Sequence, residues 1–317
     1  MVRYRVPHAD DSLQMGRPRR ERGPAQVSYD AGEVERLPRW PSYPPRGYLG
    51  QLEDECQVAF RSERSSLSLQ DCNFYHTSVL RDTTVIPGAW DLRGVENSYL
   101  GNLEGLAGAR VLELGPASGH LSFFMEDKGA SVVSFEVGFD RSIDLLPSIP
   151  RTDMRAERAQ VMSSAVMAVN NSWWYLHKDR SSSAKMVYGN IYEMPGDLGV
   201  FDAAIFGSIL LHLRDPFMAL EEATRRTARS VVVTEPYYEE LDGEGANVMR
   251  FAPESGNRGI STLWWNLTPG AVANMLDRLG FDVAETTHYT VKHHLGHHLD
   301  QEPVDLRMFT VVGTRPS

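Results

Sequence analysis

Between residues 111 and 234, five short runs of aliphatic, largely β-branched residues alternate with stretches of helical pattern. That alternation restricts the chain to an α/β architecture built on a parallel sheet. The runs are Val111–Leu114, Ser131–Phe135, Met186–Tyr188, Ala203–Phe206 and Val231–Thr234. Leu121–Lys128 reads as the first helix and stops at Gly129, a residue suited to a helix C-terminus. Residues 141–180 read as helical and are long for a simple crossover. Asp215 before Pro216 has the pattern of a capping residue with proline in the first turn, and Thr268 before Pro269 opens another helix. Two β-like runs, Asp282–Val291 and Met308–Thr314, close the chain as an antiparallel hairpin. Seven strands in this order predict a doubly wound, mostly parallel sheet.

A length of 317 residues fits one core with elaborations, and 42% hydrophobic residues exclude a wholly disordered chain. Residues 1–95 are expected to form an arm and cap region, since the first 47 hold seven prolines and no apolar periodicity. Residues 96–317 are expected to form the α/β domain. Its insertions at about 141–184 and 237–266 follow carboxyl strand ends, where a lid over a ligand would sit. Cys56 and Cys72 are too few for a disulfide scaffold and lack zinc-knuckle spacing, which predicts a reducing, cytoplasmic setting. No apolar run reaches the roughly 18–20 residues of a membrane span. The formal charge is −10, yet residues 1–50 carry nine Arg against six acids, so the rest carries about −13. That acidic body opposes a surface that tracks phosphate backbones; the Arg17, Arg19, Arg20 and Arg22 cluster leaves a local basic arm open.

The first strand runs into Gly115, Pro116, Ala117, Ser118 and Gly119. A glycine turn there lets a ligand approach the backbone and the following helix N-terminus. A dinucleotide fingerprint would need glycines at 115, 117 and 120, but Ala117 and His120 stand at two of them. No Gly-Lys-Ser/Thr follows, which excludes a P-loop. Glu136 stands 21 positions after Gly115, at the end of the second strand, where a carboxylate can accept both ribose hydroxyl protons. A nucleoside without a pyrophosphate fits this pattern, and S-adenosylmethionine is the cofactor of that kind.

Three groups of residues sharpen the match: Val111–Gly119, Phe201–Leu213, and the segments Phe74–Thr77, Pro87–Arg93, Tyr188–Tyr192, Leu211–Pro216 and Trp264–Thr268. On these the chain resembles the class I S-adenosylmethionine-dependent methyltransferases, which have a Rossmann-like fold. Within them it is most similar to the branch containing the tRNA wobble-uridine 5-oxyacetic acid (carboxy)methyltransferases. The resemblance covers roughly residues 72–317. It implies that the turn from Gly115 through Pro116, Ala117, Ser118 and Gly119 passes under the methionine part of the cofactor, with Glu113 near its amino group. It further implies Glu136 at the ribose, Asn190 and Ile191 beside the adenine, and Phe206, Gly207 and Ser208 along the end of the fourth strand. Asn190 replaces the acid common at its position, and its amide oxygen can still accept from the adenine amino group. His212 and Arg214 would open toward the acceptor.

Carboxymethyl transfer needs a fixed cation before or around the first motif. No Lys precedes Lys128, although Arg81, Arg93 and Arg110 are there. With the acidic body, this favours methyl transfer to a small molecule, as in a step of specialised biosynthesis; tRNA modification and a non-catalytic cofactor-binding module are the alternatives. His212 is the first candidate for a general base, because imidazole titrates near neutrality, and Tyr192 is a second. Glu235, Tyr237 and Tyr238 are weaker ones. No metal is expected: His293, His294, His297 and His298 fall in the final hairpin connection, where Gly296 argues against a helix that could pair them on a metal. Trp173, Trp174, Trp264 and Trp265 are expected mainly to pack elements onto the sheet.

Overall fold

The computed structural model describes residues 67–137, 144, 152–243, 247–253, 262–295 and 298–316. In chain order the elements are β1 (Ser78–Val79), β2 (Val85–Ile86), β3 (Trp90–Asp91), α1 (Glu96–Tyr99), β4 (Arg110–Leu114), α2 (His120–Asp127), β5 (Ser131–Val137), α3 (Thr152–Arg180) and β6 (Lys185–Gly189). They continue with β7 (Phe201–Gly207), α4 (Pro216–Thr224), β8 (Thr227–Pro236), β9 (Met249–Phe251), β10 (Trp265–Leu267), α5 (Pro269–Arg278), β11 (Asp282–His293) and β12 (Val304–Thr314). The main sheet has eight strands in the order β3-β11-β12-β8-β7-β4-β5-β6. Strands β4 to β8 pair in parallel, whereas β12 joins β8, and β11 joins β12, antiparallel.

This is the expected doubly wound sheet with its terminal hairpin, plus one strand. Trp90–Asp91 pairs with Lys292 and His293 at the edge. Two residues between a Pro-Gly turn and an Arg-Gly turn carry too little period-2 signal to read as a strand. The predicted caps are present: Asp215 accepts from the Met218 amide at 3.0 Å and Thr268 from the Ala271 amide at 3.3 Å. Both helices thus satisfy an amide that their own turns leave unpaired.

Side-chain alternation along the parallel strands sends residues to two cores. On one face Val111, Val132, Ile205 and Val232 pack with Phe123 of α2, Trp173 and Trp174 of α3, and Phe74, Leu92 and Tyr99 from the segment before β4. On the other, Leu112, Leu114, Phe135, Phe206 and Val233 pack with Leu220 of α4 and Val272 and Leu276 of α5. The second half of the 141–184 insertion is therefore a helix that covers the sheet. Trp173 is fully buried, lies 5.4 Å from the Phe123 ring and donates its indole N–H to Ser122 at 3.0 Å.

The segment before β4 folds back on itself with backbone in tight contact. A Cβ on Gly88 would lie 2.2 Å from the His76 carbonyl carbon, whereas one on Gly196 would meet nothing within 4 Å. Gly88→Ala is therefore expected to cost ~2 kcal/mol or more of unfolding free energy, and Gly196→Ala to stay within about 0.5 kcal/mol of wild type. Urea denaturation of the two variants checks this; equal midpoints would show that the 74–92 segment is not packed as described.

Candidate functional site

Strand order decides where a ligand can lie. From β4 the chain proceeds outward through β5 and β6, and then returns to the other side of β4 for β7 and β8. Open α/β sheets bind ligands outside the carboxyl ends of the strands at such a reversal. The parallel register pairs Leu114 with Phe135 on one side and with Phe206 on the other. Gly115, Glu136 and Gly207 consequently emerge at one edge.

The backbone there is in an unusual conformation. Gly115 and Gly119 have φ of +70° and +88°, and the non-glycine residues Ala117 and Ser208 have +49° and +55°. Left-handed non-glycine residues are uncommon and cluster at ligand sites. A Cβ on Gly119 would come within 2.6 Å of both Phe123 and Trp173, so this position needs glycine for space as well as for φ. The turn is pinned by the Gly115 amide on the Phe135 carbonyl (3.0 Å) and the Gly119 amide on the Pro116 carbonyl (2.9 Å).

Glu136 is half-buried beside this turn. Among the described residues its carboxylate accepts only from the next amide, Val137, at 2.8 Å. Burial pushes its carboxyl up to about 7. Asn190 and Ile191 follow β6 on the same side and are partly exposed. The Asn190 amide oxygen accepts from the Tyr192 amide at 3.2 Å, and keeps a lone pair for one further donor. Gly207 and Ser208 line the opposite side, where the Tyr99 and Ser208 hydroxyls are 2.8 Å apart.

Three of the expected contacts belong to side chains that face inward. The Glu113 carboxylate accepts from Ser122 and, at 2.8 Å, from Ser134, between α2 and the sheet. Ser118 is fully buried, and its hydroxyl accepts from the His76 amide at 2.9 Å. Phe206 lies in the core. Tyr192 is also committed: its hydroxyl donates to the Asp144 carboxylate and accepts from the Asp215 amide at 3.2 Å, and burial raises its pKa.

His212 lies in the short 3-10 turn Leu210–His212 that follows β7. Its Nδ1 is 3.1 Å from the Thr262 carbonyl oxygen. A carbonyl only accepts, so Nδ1 carries the proton and Nε2 keeps its lone pair. Burial lowers its pKa, which holds the ring neutral. Arg214, two residues further on, lies 5.4 Å above the Trp264 ring.

The sequence singled out Phe74–Thr77 without assigning roles, and gave no signal for Tyr99. His76 is sealed against Ser118, and burial takes its pKa down to about 3. His120, the first residue of α2, has its Nε2 3.2 Å from a Glu96 carboxylate oxygen. In the terminal histidine cluster, His293 packs 4.3 Å from Trp90 and His294 Nδ1 is 2.8 Å from the Gln301 carbonyl. His297 lies outside the described residues.

No family model matches the chain, and no curated protein matches it. Among solved structures it is similar to magnesium protoporphyrin IX methyltransferase from Synechocystis PCC 6803 with bound SAH, at 13% identity over 70% of this chain and 82% of that one, TM-score 0.43. It is also similar to the N-terminal domain of EvdMO1 with SAH bound, at 17% identity over 82% and 97% of the two chains, TM-score 0.45. The YcgJ protein from Bacillus subtilis is similar at 9% identity over 70% and 98%, TM-score 0.46. These likenesses concern the backbone path and say nothing of what this chain binds.

Glu113 offers a stability test. Its ordinary value is 4.5, and burial raises the folded-state value to about 7. The folded protein then binds more protons than the unfolded chain. The contribution is full below pH 4.5 and is lost as pH rises through 7. Glu113→Gln should therefore gain stability over wild type between pH 5 and 8, by on the order of 2–3 kcal/mol. A difference that does not change with pH, measured by denaturant unfolding, would remove Glu113 from that network.

Proposed function

We propose that this chain is an S-adenosylmethionine-dependent methyltransferase acting on a small-molecule acceptor. The observation that carries the reading is the Glu136 carboxylate at the strand end, which among the described residues accepts from one backbone donor, one residue past the Phe135 carbonyl that pins the glycine turn. A carboxylate in that place suits a ribose diol, and the left-handed turn beside it admits close backbone approach without the glycine pattern that a pyrophosphate demands.

When bound, the cofactor supplies an activated methyl group. The chain's own part is to bind, align and exclude water, which can account for ~7–11 kcal/mol of a barrier in well-oriented systems. Glu136 holds the ribose, and Asn190 and Ile191 flank the adenine. Glu113, Ser118 and Phe206 shape the cradle from beneath, through the strand and turn they pack. Nε2 of His212 takes the proton from an acceptor that carries one, and Thr262 keeps the ring in the tautomer that allows it. Tyr192 ties the Asp144 carboxylate to the Asp215 amide instead of transferring a proton.

A small acceptor is supported by charge. Glu239 and Glu240, shortly after β8, are exposed and paired with Arg307 and Arg250, so the support comes from the net charge of about −13 carried beyond residue 50. That overall balance opposes close approach of a nucleic-acid backbone. The tRNA reading keeps only the basic residues of the first 50 in its favour.

Titration calorimetry with S-adenosylhomocysteine tests the cofactor. Saturable binding is expected, and Glu136→Ala should weaken it about 10–100-fold, the worth of one or two hydrogen bonds to a charged group. Absence of binding by the wild type would end the proposal. Binding of bulk tRNA that weakens steeply with salt would replace the small acceptor by RNA.

A further inference from the structure

Glu235 is the last residue but one of β8, and only 1% of its surface is exposed. Its Oε1 accepts from two consecutive amides, Leu210 at 2.8 Å and Leu211 at 3.4 Å. Its Oε2 is sealed from solvent and meets no hydrogen-bond partner among the described residues. Among the described residues no cation offsets it, and Tyr75, Tyr99 and Tyr238 feel its charge. A buried carboxyl with an orphan oxygen costs free energy and needs a reason to be there.

The two amides begin the turn that carries His212. The buried Leu210 and Leu211 side chains anchor that turn as well, with the His212 amide on the Ile209 carbonyl at 3.0 Å, the Leu213 amide on the Leu210 carbonyl at 3.1 Å and the Trp264 amide on the Leu211 carbonyl at 2.8 Å. Three residues of 3-10 helix are too short to be stable alone. Their amides face inward, so without Glu235 they would be buried and unpaired.

We infer that Glu235 is the positioning residue for His212: through Oε1 it clamps the 210–212 turn to the end of β8, and so holds the imidazole with Nδ1–H on the Thr262 carbonyl and Nε2 toward the acceptor. This rests on the role given to His212 in the proposed methyl transfer. It extends that reading by assigning the fixed geometry of the base to a side chain on a different strand. Turn capping needs one acceptor oxygen, so an amide of the same shape can do the same work. The orphan Oε2 leaves room for the NH₂ group in its place.

The test reads the ring directly and needs no acceptor. Long-range proton–nitrogen NMR on the full chain, with His212 assigned by its absence in His212→Ala, should show a single Nδ1–H tautomer in the wild type. Glu235→Ala should mix the two tautomers and return the imidazole pKa toward ~6.5. It should also speed exchange of the Leu210 and Leu211 amides about 10-fold, as expected for loss of one net hydrogen bond. Glu235→Gln should keep the tautomer, the pKa and the slow exchange. If Glu235→Ala does not fold, Glu235→Asp, which withdraws the acceptor by one methylene, is expected to give the same changes. The inference is overturned if the shortened variants leave His212 as in the wild type, or if Glu235→Gln perturbs it as much as they do. Failure to bind S-adenosylhomocysteine would strike the methyltransferase reading and leave these ring measurements standing.

Discussion

Parallel hydrogen bonding of β4 to a neighbour on each side is the constraint on which the rest depends. Strand β4 is the first of the parallel set in sequence and lies inside the sheet in space, with β5 and β7 flanking it. Val111, Leu112 and Leu114 are completely buried. A strand covered on both faces and paired on both edges cannot slip register without turning its apolar side chains into the wrong layer. Its carboxyl end is thereby fixed, and with it the relative heights of Gly115, Glu136 and Gly207. Every candidate ligand contact is measured from that edge.

Polar groups around the crevice divide by what they can still do. Ser118, Glu113 and Tyr192 are hydrogen-bonded to protein side chains and backbone, and these bonds hold elements together. Among the described residues, Glu136 accepts from one amide, and the Nε2 of His212 is left as an acceptor by the Nδ1 contact to Thr262. Burial acts on them in opposite senses, raising carboxyl pKa values and lowering that of imidazole.

The segment from Phe74 to Tyr99 shows how tertiary contacts assign purpose to residues that sequence leaves mute. Its own secondary structure is minimal, with three two-residue strands and one helical turn. Yet it supplies core side chains to one face of the sheet, adds an edge strand to β11, and brings the Tyr99 hydroxyl to Ser208. Nothing local in Tyr99 announces that contact, which joins positions 109 residues apart. The two halves of the Trp173–Trp174 pair were readable as packing residues because large aromatic side chains rarely stay wet. Which helix face they would use was not, since the long helix has no clear amphipathic period.

Local pattern and turn chemistry, which act over a few residues, determined the parallel strands, their intervening helices, both Pro-led caps, and a glycine turn suited to a nucleoside. They also placed Glu136 at a strand end, because the distance from a glycine turn to the next strand end is a property of one strand–helix–strand unit. What only the tertiary structure decided is which polar side chains are already satisfied. That Ser118 faces His76, that Tyr192 is tied to Asp144, and that Glu235 supports the turn of His212 all depend on contacts between distant segments. The physical reason is that a hydrogen-bonding group carries no sign in the sequence of whether its partner will be protein or ligand. Only the packed chain counts the donors and acceptors left over.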